Sequence, residues 1–301
     1  MQIGKGKKIQ ALALAAALAF SAGGPLFLSA EAAESAAYEA QKGSVRWEGE
    51  ESAAVEAYGY GVPDGQVQSA ARARLLARRA AIADAYRNLA EITHGVQVDA
   101  ETTVQNLAVR DDAVRVRVES LIQGAEITEE KYAADGTYSV RMRLPLYGKN
   151  GLAAAALPAQ RSAAPRPFPQ MSAKYEKGVT VPVRVQKQYT GLIVDAQGLG
   201  LNPTFSPVLL DDGGRKIYGH ENIDPQFAIA HGMVAYTKGI EDAHRAENGI
   251  SRAGATPLIV KAVRLEGHNC NVVISERDAD FILDMQQKYG FLSQCAVVFE
   301  R

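Results

Sequence analysis

Seven side chains in this sequence carry ligating or nucleophilic chemistry of the strongest kind: His94, His220, His231, His244, His268, Cys270 and Cys295. His268 and Cys270 stand two residues apart, so a zinc site would need Cys295 and a distant histidine to complete a tetrahedral set. Two near ligands and one separate thiol are not a diagnostic spacing, and no metal is expected. Acyl-transfer chemistry needs a nucleophile, a base and an orienting group; Ser206, Ser251, Ser275 and Ser293 lack the Gly-x-Ser-x-Gly turn that would expose such a nucleophile. The acidic pairs Glu129/Glu130, Asp211/Asp212 and Asp278/Asp280 each have a local reading as strand, turn or helix start. Opposed carboxylates of the glycosidase kind cannot be read from their spacing. Gly198-Leu199-Gly200 leads into Asn202-Pro203 and not into a helix with Gly-Lys-Ser/Thr, so its glycines shape a loop and hold no phosphate. No catalytic or cofactor-binding residues are assigned, and the chain is expected not to be an enzyme.

The first residues say where the chain works. Lys5, Lys7 and Lys8 precede an apolar run from Ala11 to Phe20, and Ala30-Glu31-Ala32 closes the segment. That is the three-part pattern of a secretory signal peptide over residues 1–32, cleaved after Ala32. Gly23-Gly24-Pro25 and the alanine-rich composition argue against a retained membrane anchor. No cysteine lies near the junction, so no lipid anchor is expected. The destination is the periplasm or cell envelope, where an oxidising environment favours a disulfide between Cys270 and Cys295. Such a bridge would stabilise by about 3–4 kcal/mol on the chain-entropy model. The alternative is two free thiols on buried strands.

Subtracting the 32-residue leader from 301 leaves 269 residues, enough for two ordinary domains. The leader removes three lysines and one glutamate, moving the formal net charge from −1 to −3. Without net basicity a nucleic-acid partner is not expected. An apolar content of 47% and a charged content of 22% are those of a folded chain.

Residues 33–44 are small and polar, a flexible N-terminus. Val55, Ala57 and Gly59 alternate with Glu56, Tyr58 and Tyr60, predicting a strand. From Gln66 to Thr93 the period becomes helical, with Ala71, Leu75, Ile82, Tyr86 and Leu89 near one face and Gly95 as terminator. The many alanines suit a helix lying close against a sheet. Arg72, Arg74, Arg78, Arg79 and Arg87 read as its solvated side. Residues 99–112 are predicted to be an irregular excursion. Val114, Val116 and Val118 alternate with Arg115, Arg117 and Glu119, predicting a half-exposed strand; 124–133 and 137–146 then form a hairpin across Ala134-Asp135-Gly136. Tyr138, Val140, Met142 and Leu144 share one face.

The ordered set YGYG, ARRAAIADAYRNLAE, Gly95-Val96, LIQGAEI and DGTYSVRMRLPLYG, from Val55 to Gly148, resembles the Lpp-twenty lipoprotein family and the N-terminal domain of flagellar assembly protein T. The resemblance covers about a third of the chain. It implies an exported, non-enzymatic α+β domain associated with the outer membrane or flagellar basal structures. Envelope or basal-structure proteins are then the expected partners, with peripheral membrane association and no nucleic acid. Tyr58 and Tyr60, with Arg72, Arg78 and Arg79 on the helix, are the candidate partner surface.

Residues 149–177 are rich in Ala and Pro and read as a linker. In the second half, 179–185, 190–194, 208–210, 215–218, 258–265, 271–274 and 295–299 read as strands. Asp211-Asp212-Gly213-Gly214 reads as a hairpin turn, and Ser275-Glu276-Arg277-Asp278 as the start of a helix. If the strands at 271–274 and 295–299 are parallel neighbours, the two cysteines lie at similar height. The expected architecture is α+β: domains at 45–148 and 178–301, each a mainly antiparallel sheet packed by one or two helices, joined by the Ala/Pro-rich segment. The expected function is that of a non-catalytic structural or assembly factor of the envelope. A periplasmic binder of cell-wall polymer or a small ligand is the alternative, and a hydrolase is a less favoured one.

Overall fold

The computed structural model describes residues 42–49, 52–63, 69–157, 164–173, 188–239 and 251–301. The leader, its junction at Ala32, most of 33–44 and the predicted strand 179–185 lie outside them.

In the first domain, β1 (Gly43–Arg46), β2 (Ala54–Gly61), β3 (Glu126–Tyr132) and β4 (Tyr138–Pro145) form an antiparallel sheet in the order β1-β2-β4-β3. The N-terminal stretch expected to be flexible thus already enters a strand at Gly43. The strict alternation of β4 is realised, with Tyr138, Val140, Met142 and Leu144 all buried. The long helix α1 (Ala70–Gly95) is capped by Ser69, whose hydroxyl accepts from the Arg72 amide. Its buried line is Ala77, Ala81, Ala85, Leu89 and Thr93, a repeat of four. Of the larger residues expected on that face, Leu89 is buried, Ile82 and Tyr86 pack at its margin half-buried, and Leu75 is 62% exposed. Small side chains won this face because the sheet beneath is also stripped of side chains. A Cβ on Gly59 would come within 2.1 Å of the Ala81 carbonyl oxygen, and one on Gly61 within 2.0 Å of that of Ala77.

Two segments depart from the sequence-based expectation. Residues 99–112 include a helix, α2 (Val104–Arg110), capped by Thr103. Residues 112–123 form a second helix, α3 (Asp112–Gln123), not the half-exposed strand predicted. Asp111 caps α3 by accepting from the Ala113 and Val114 amides. Its buried residues are Val114, Val118 and Ile122, while Val116 is 54% exposed. A Val-x-Val-x-Val run satisfies both periods, and the buried Ile122 one turn further on belongs to the helical one.

Two described parts of the expected linker make tertiary contacts. The short helix α4 (Leu152–Ala156) buries Leu152, Ala153, Ala155 and Ala156. Residues 164–173 lie along the second domain. There Ser172 donates both its amide, at 2.8 Å, and its hydroxyl, at 2.5 Å, to the buried Asp280 carboxylate.

The second domain contains β5 (Gly191–Asp195), β6 (Leu209–Asp211), β7 (Lys216–Tyr218), α5 (Pro225–His231) and β8 (Ala235–Thr237). There follow β9 (Pro257–Lys261), β10 (Arg264–Glu266), β11 (Asn271–Ile274), α6 (Glu276–Tyr289) and β12 (Val297–Glu300). The chain is α+β as expected, but the antiparallel sense expected of both sheets holds only in the first domain. The second has a mixed sheet, β10-β11-β6-β7, and an all-parallel sheet, β8-β12-β5-β9. The predicted strand 258–265 breaks at Ala262-Val263: the Ala262 amide bonds Asp195 in one sheet and the Val263 amide bonds Val273 in the other. Ser275 caps α6 as expected, and Gly290 ends it in the left-handed conformation.

The same topology removes the expected disulfide. β11 and β12 belong to different sheets, and Cys270 and Cys295 are both free and buried. Cys270 Sγ lies against the His268 carbonyl at 3.7 Å, and Cys295 stands beside the Tyr218 hydroxyl, which donates to the Met233 carbonyl at 2.6 Å. Burial pushes both thiols above their ordinary range.

Candidate partner surface

Alternation along β2 sends Gly59 and Gly61 into α1 and Tyr58 and Tyr60 out of the opposite face of the sheet. The candidate surface named from sequence therefore divides. Tyr58 and Tyr60 share the open face, whereas Arg72, Arg78 and Arg79 ride on the helix behind it. Arg78 is engaged there, its guanidinium donating twice, at 2.7 Å each, to Glu130 of β3. That bond, with a second from the Tyr138 hydroxyl, holds the Glu130 carboxyl down to about 2. Arg74 stacks over Tyr132 at 4.6 Å from the ring centre. Arg72 and Arg79 are exposed.

The open face is built by register. Glu56 pairs with Arg143, Tyr58 with Arg141 and Tyr60 with Ser139 across β2 and β4. On β3 a bulge between Ile127 and Glu129 resets the alternation, bringing Glu129 opposite Arg141 and Lys131 opposite Ser139. The charges on this face meet each other: Arg141 with Glu56 at 2.5 Å, Arg46 with Glu56 at 3.5 Å, Lys131 with Glu129 at 2.5 Å. The Arg141 guanidinium also lies 5.8 Å from the centre of the Tyr58 ring. Tyr60 is 48% exposed. Between these groups is a shallow depression of about 150 Å³ lined by Tyr58, Tyr60, Glu129, Lys131, Ser139, Val140 and Arg141. Beyond the end of β1, no strand among the described residues pairs with the outer edge of β2. Side chains of α1 serve it instead: Asn88 donates to the Tyr58 carbonyl at 2.7 Å, and Asp84 accepts from the Tyr60 amide at 3.0 Å. Of this face the two tyrosines are named from sequence as a partner surface, and Glu129 only as one of an acidic pair. The hairpin at Ala134–Gly136 was the signal for the rest, because its turn sets which residues of β3 and β4 stand beside β2.

Residues 46–144 match the LPP20 lipoprotein family. The match coincides with the sheet and helices just described and supports a cell-envelope association for the LPP20-like domain. Residues 191–299 match a second family model, described as Treponema pallidum Tp0624, second domain. No curated protein matches the chain. Among the described residues no helix is long and apolar enough to cross a membrane, and no group of three or more His, Cys, Asp and Glu side chains is placed to hold a metal ion. The His268, Cys270 and Cys295 combination considered from sequence is not assembled; His268 Nδ1 lies 2.8 Å from the Ala100 carbonyl oxygen.

That last contact belongs to a continuous seam between the two matched domains. Trp47 of the LPP20-like domain packs edge-on against Phe205 and Tyr236, at 5.2 and 5.7 Å between ring centres, and Tyr147 packs against Phe205 at 5.8 Å. The Ser206 amide bonds the Val98 carbonyl at 2.8 Å, and the Gly148 amide that of Ile229 at 3.0 Å. Glu48 forms a parallel bridge with Tyr236 and ion pairs with Arg301, at 2.6 Å, and Lys238, at 3.3 Å. Burial pushes the Glu48 carboxyl up, but the Arg301 bond and the neighbouring cations outweigh it, and the net direction is down. Both matched domains lie in one compact unit.

Proposed function

We propose that this chain is an exported, non-catalytic structural or assembly factor of the cell envelope, working at outer-membrane-linked or flagellar basal structures. The observation that carries the reading is the match of residues 46–144 to a lipoprotein family. The geometry is compatible with it in two ways. The sheet of the LPP20-like domain has one face welded to α1 and the other open, with aromatic and charged side chains held in fixed positions. The second domain is joined to it through buried aromatic rings, a rigid arrangement suited to holding one component against another.

The test is crosslinking of the native protein in its own cells, followed by affinity capture and mass spectrometry. Recovery of basal-body or outer-membrane proteins from the envelope fraction is the expected result. Recovery in the cytosolic fraction would overturn the reading, and an envelope fraction without protein partners would remove the assembly role.

A further inference from the structure

We propose that the open face of the LPP20-like sheet binds an uncharged glycan strand of the cell wall, with Tyr58 and Tyr60 as its platform. The proposal deepens the envelope reading and rests on it. Tyr58 and Tyr60 are two residues apart on one strand, which sets their side chains about 6.8 Å apart along the same face. Tyr60 is exposed and Tyr58 half-buried beside the Arg141 guanidinium; a tyrosine offers a broad apolar ring and a hydroxyl at its tip, matching the apolar face and hydroxyl rim of a sugar.

The charges select among ligands. A polyanion, whether nucleic acid or an anionic lipid surface, is held by cations it can claim as its own. Here Arg141, at 2.5 Å, and Arg46, at 3.5 Å, share the one Glu56 carboxylate, and Lys131 is paired with Glu129. Such pairs remain useful to a neutral, hydroxyl-rich ligand, because a paired guanidinium or ammonium still has N–H groups to give and a paired carboxylate still has lone pairs to accept with. The depression of about 150 Å³ is smaller than the roughly 300–1,000 Å³ of an enclosing small-molecule pocket. A shallow hollow on a flat sheet suits a chain that lies across the surface and is touched on one side. The platform is also stiff: α1 backs it at backbone contact, and Asn88 and Asp84 fix the strand edge that carries both tyrosines. Little ordering is then left to be done on binding.

The experiment is calorimetric titration of the purified full chain with a soluble tetramer of N-acetylglucosamine, at low and at high salt. Binding is expected at both, since no free charge pair forms. Tyr60→Ala should weaken it about tenfold, the upper range of one aromatic contact. Tyr58→Ala with Tyr60→Ala should abolish it, and Arg110→Glu at the exposed end of α2 should leave it unchanged. Unaltered thermal melting of each variant confirms that the fold is kept. No binding by the native chain, equal binding by the double tyrosine variant, or loss of binding at high salt would each overturn the proposal. Cell fractionation separates the two readings: a chain found in the envelope that does not bind the tetramer removes the glycan alone, whereas a cytosolic chain removes the envelope assignment.

Discussion

The two principal sheets of this molecule treat their faces in opposite ways. In the LPP20-like domain, β4 alternates between buried and half-buried positions along its whole length. In the second domain, all four residues of β12 are buried, as are four of the five in β5. Antiparallel strands joined by hairpins can leave one face to solvent, whereas parallel strands need crossovers that cover both. The first sheet is therefore the one that can present side chains, and the second is the one that can brace it. The glycines of β2 extend the contrast within a single strand: Gly59 is pressed against helix backbone, and Tyr60, the next residue, stands in solvent.

The seam between the domains is the place to break this arrangement most severely. Trp47 is 8% exposed and touches Phe205 and Tyr236 across the boundary. Trp47→Ala should cost about 4 kcal/mol, the range of large aromatic truncations in a core. If the second domain braces the first, urea denaturation of the native chain should show one transition followed alike by fluorescence and circular dichroism, and the variant should shift that transition whole. Separate transitions for the two domains in the native chain would refute the bracing.

Next in size is the comparison inside β2. Gly59→Ala places a methyl group where helix backbone already lies and should destabilise by about 3 kcal/mol, the upper range of overpacking. Tyr60→Ala, one residue on, should change stability by no more than about 0.5 kcal/mol. Equal effects in denaturant titrations would mean that the two faces are not distinct.

The first of these faces was legible in the sequence and the second only partly. Period-two alternation in 138–145 and the Asp-Gly turn gave β3 and β4, and alanine content gave a helix close to a sheet. Sequence alone could not say that α1 would bury alanines and leave Leu75 outside, because that choice follows from the missing side chains of Gly59 and Gly61 in a distant strand. At 112–123 a β-branched alternation was overruled by the Asp111 cap and the burial of Ile122. In the second domain the short apolar runs marked strands correctly but carried no information on partners. Hence the assumption that β11 and β12 are neighbours, and with it the Cys270–Cys295 bridge, did not survive the topology. The Ala/Pro composition of 149–177 likewise hid the fact that Leu152 and Ser172 have buried contacts, since a linker and a packed strap share the same residues.

The smallest expected effect concerns how α1 is pinned to the outer strand of the open sheet. Arg78 and Tyr138 both donate to Glu130 and lower its carboxyl from the ordinary value of 4.5 to about 2. A carboxyl that is more acidic in the folded state than in the unfolded chain binds fewer protons when folded, so its contribution is present above the unfolded value and is lost as pH falls toward the folded one. The stability contributed by this cluster should therefore be intact near neutrality and decline between about pH 4.5 and pH 2. Glu130→Gln removes the titrating group. Its melting temperature should lie slightly below that of the native chain at neutral pH, because an exposed ion pair contributes less than about 1 kcal/mol, and the two should converge in acid. A gap that stays constant down to the acid end would show that Arg78 and Glu130 are neighbours without being coupled, and that the alanine and glycine seam alone holds the helix to the sheet.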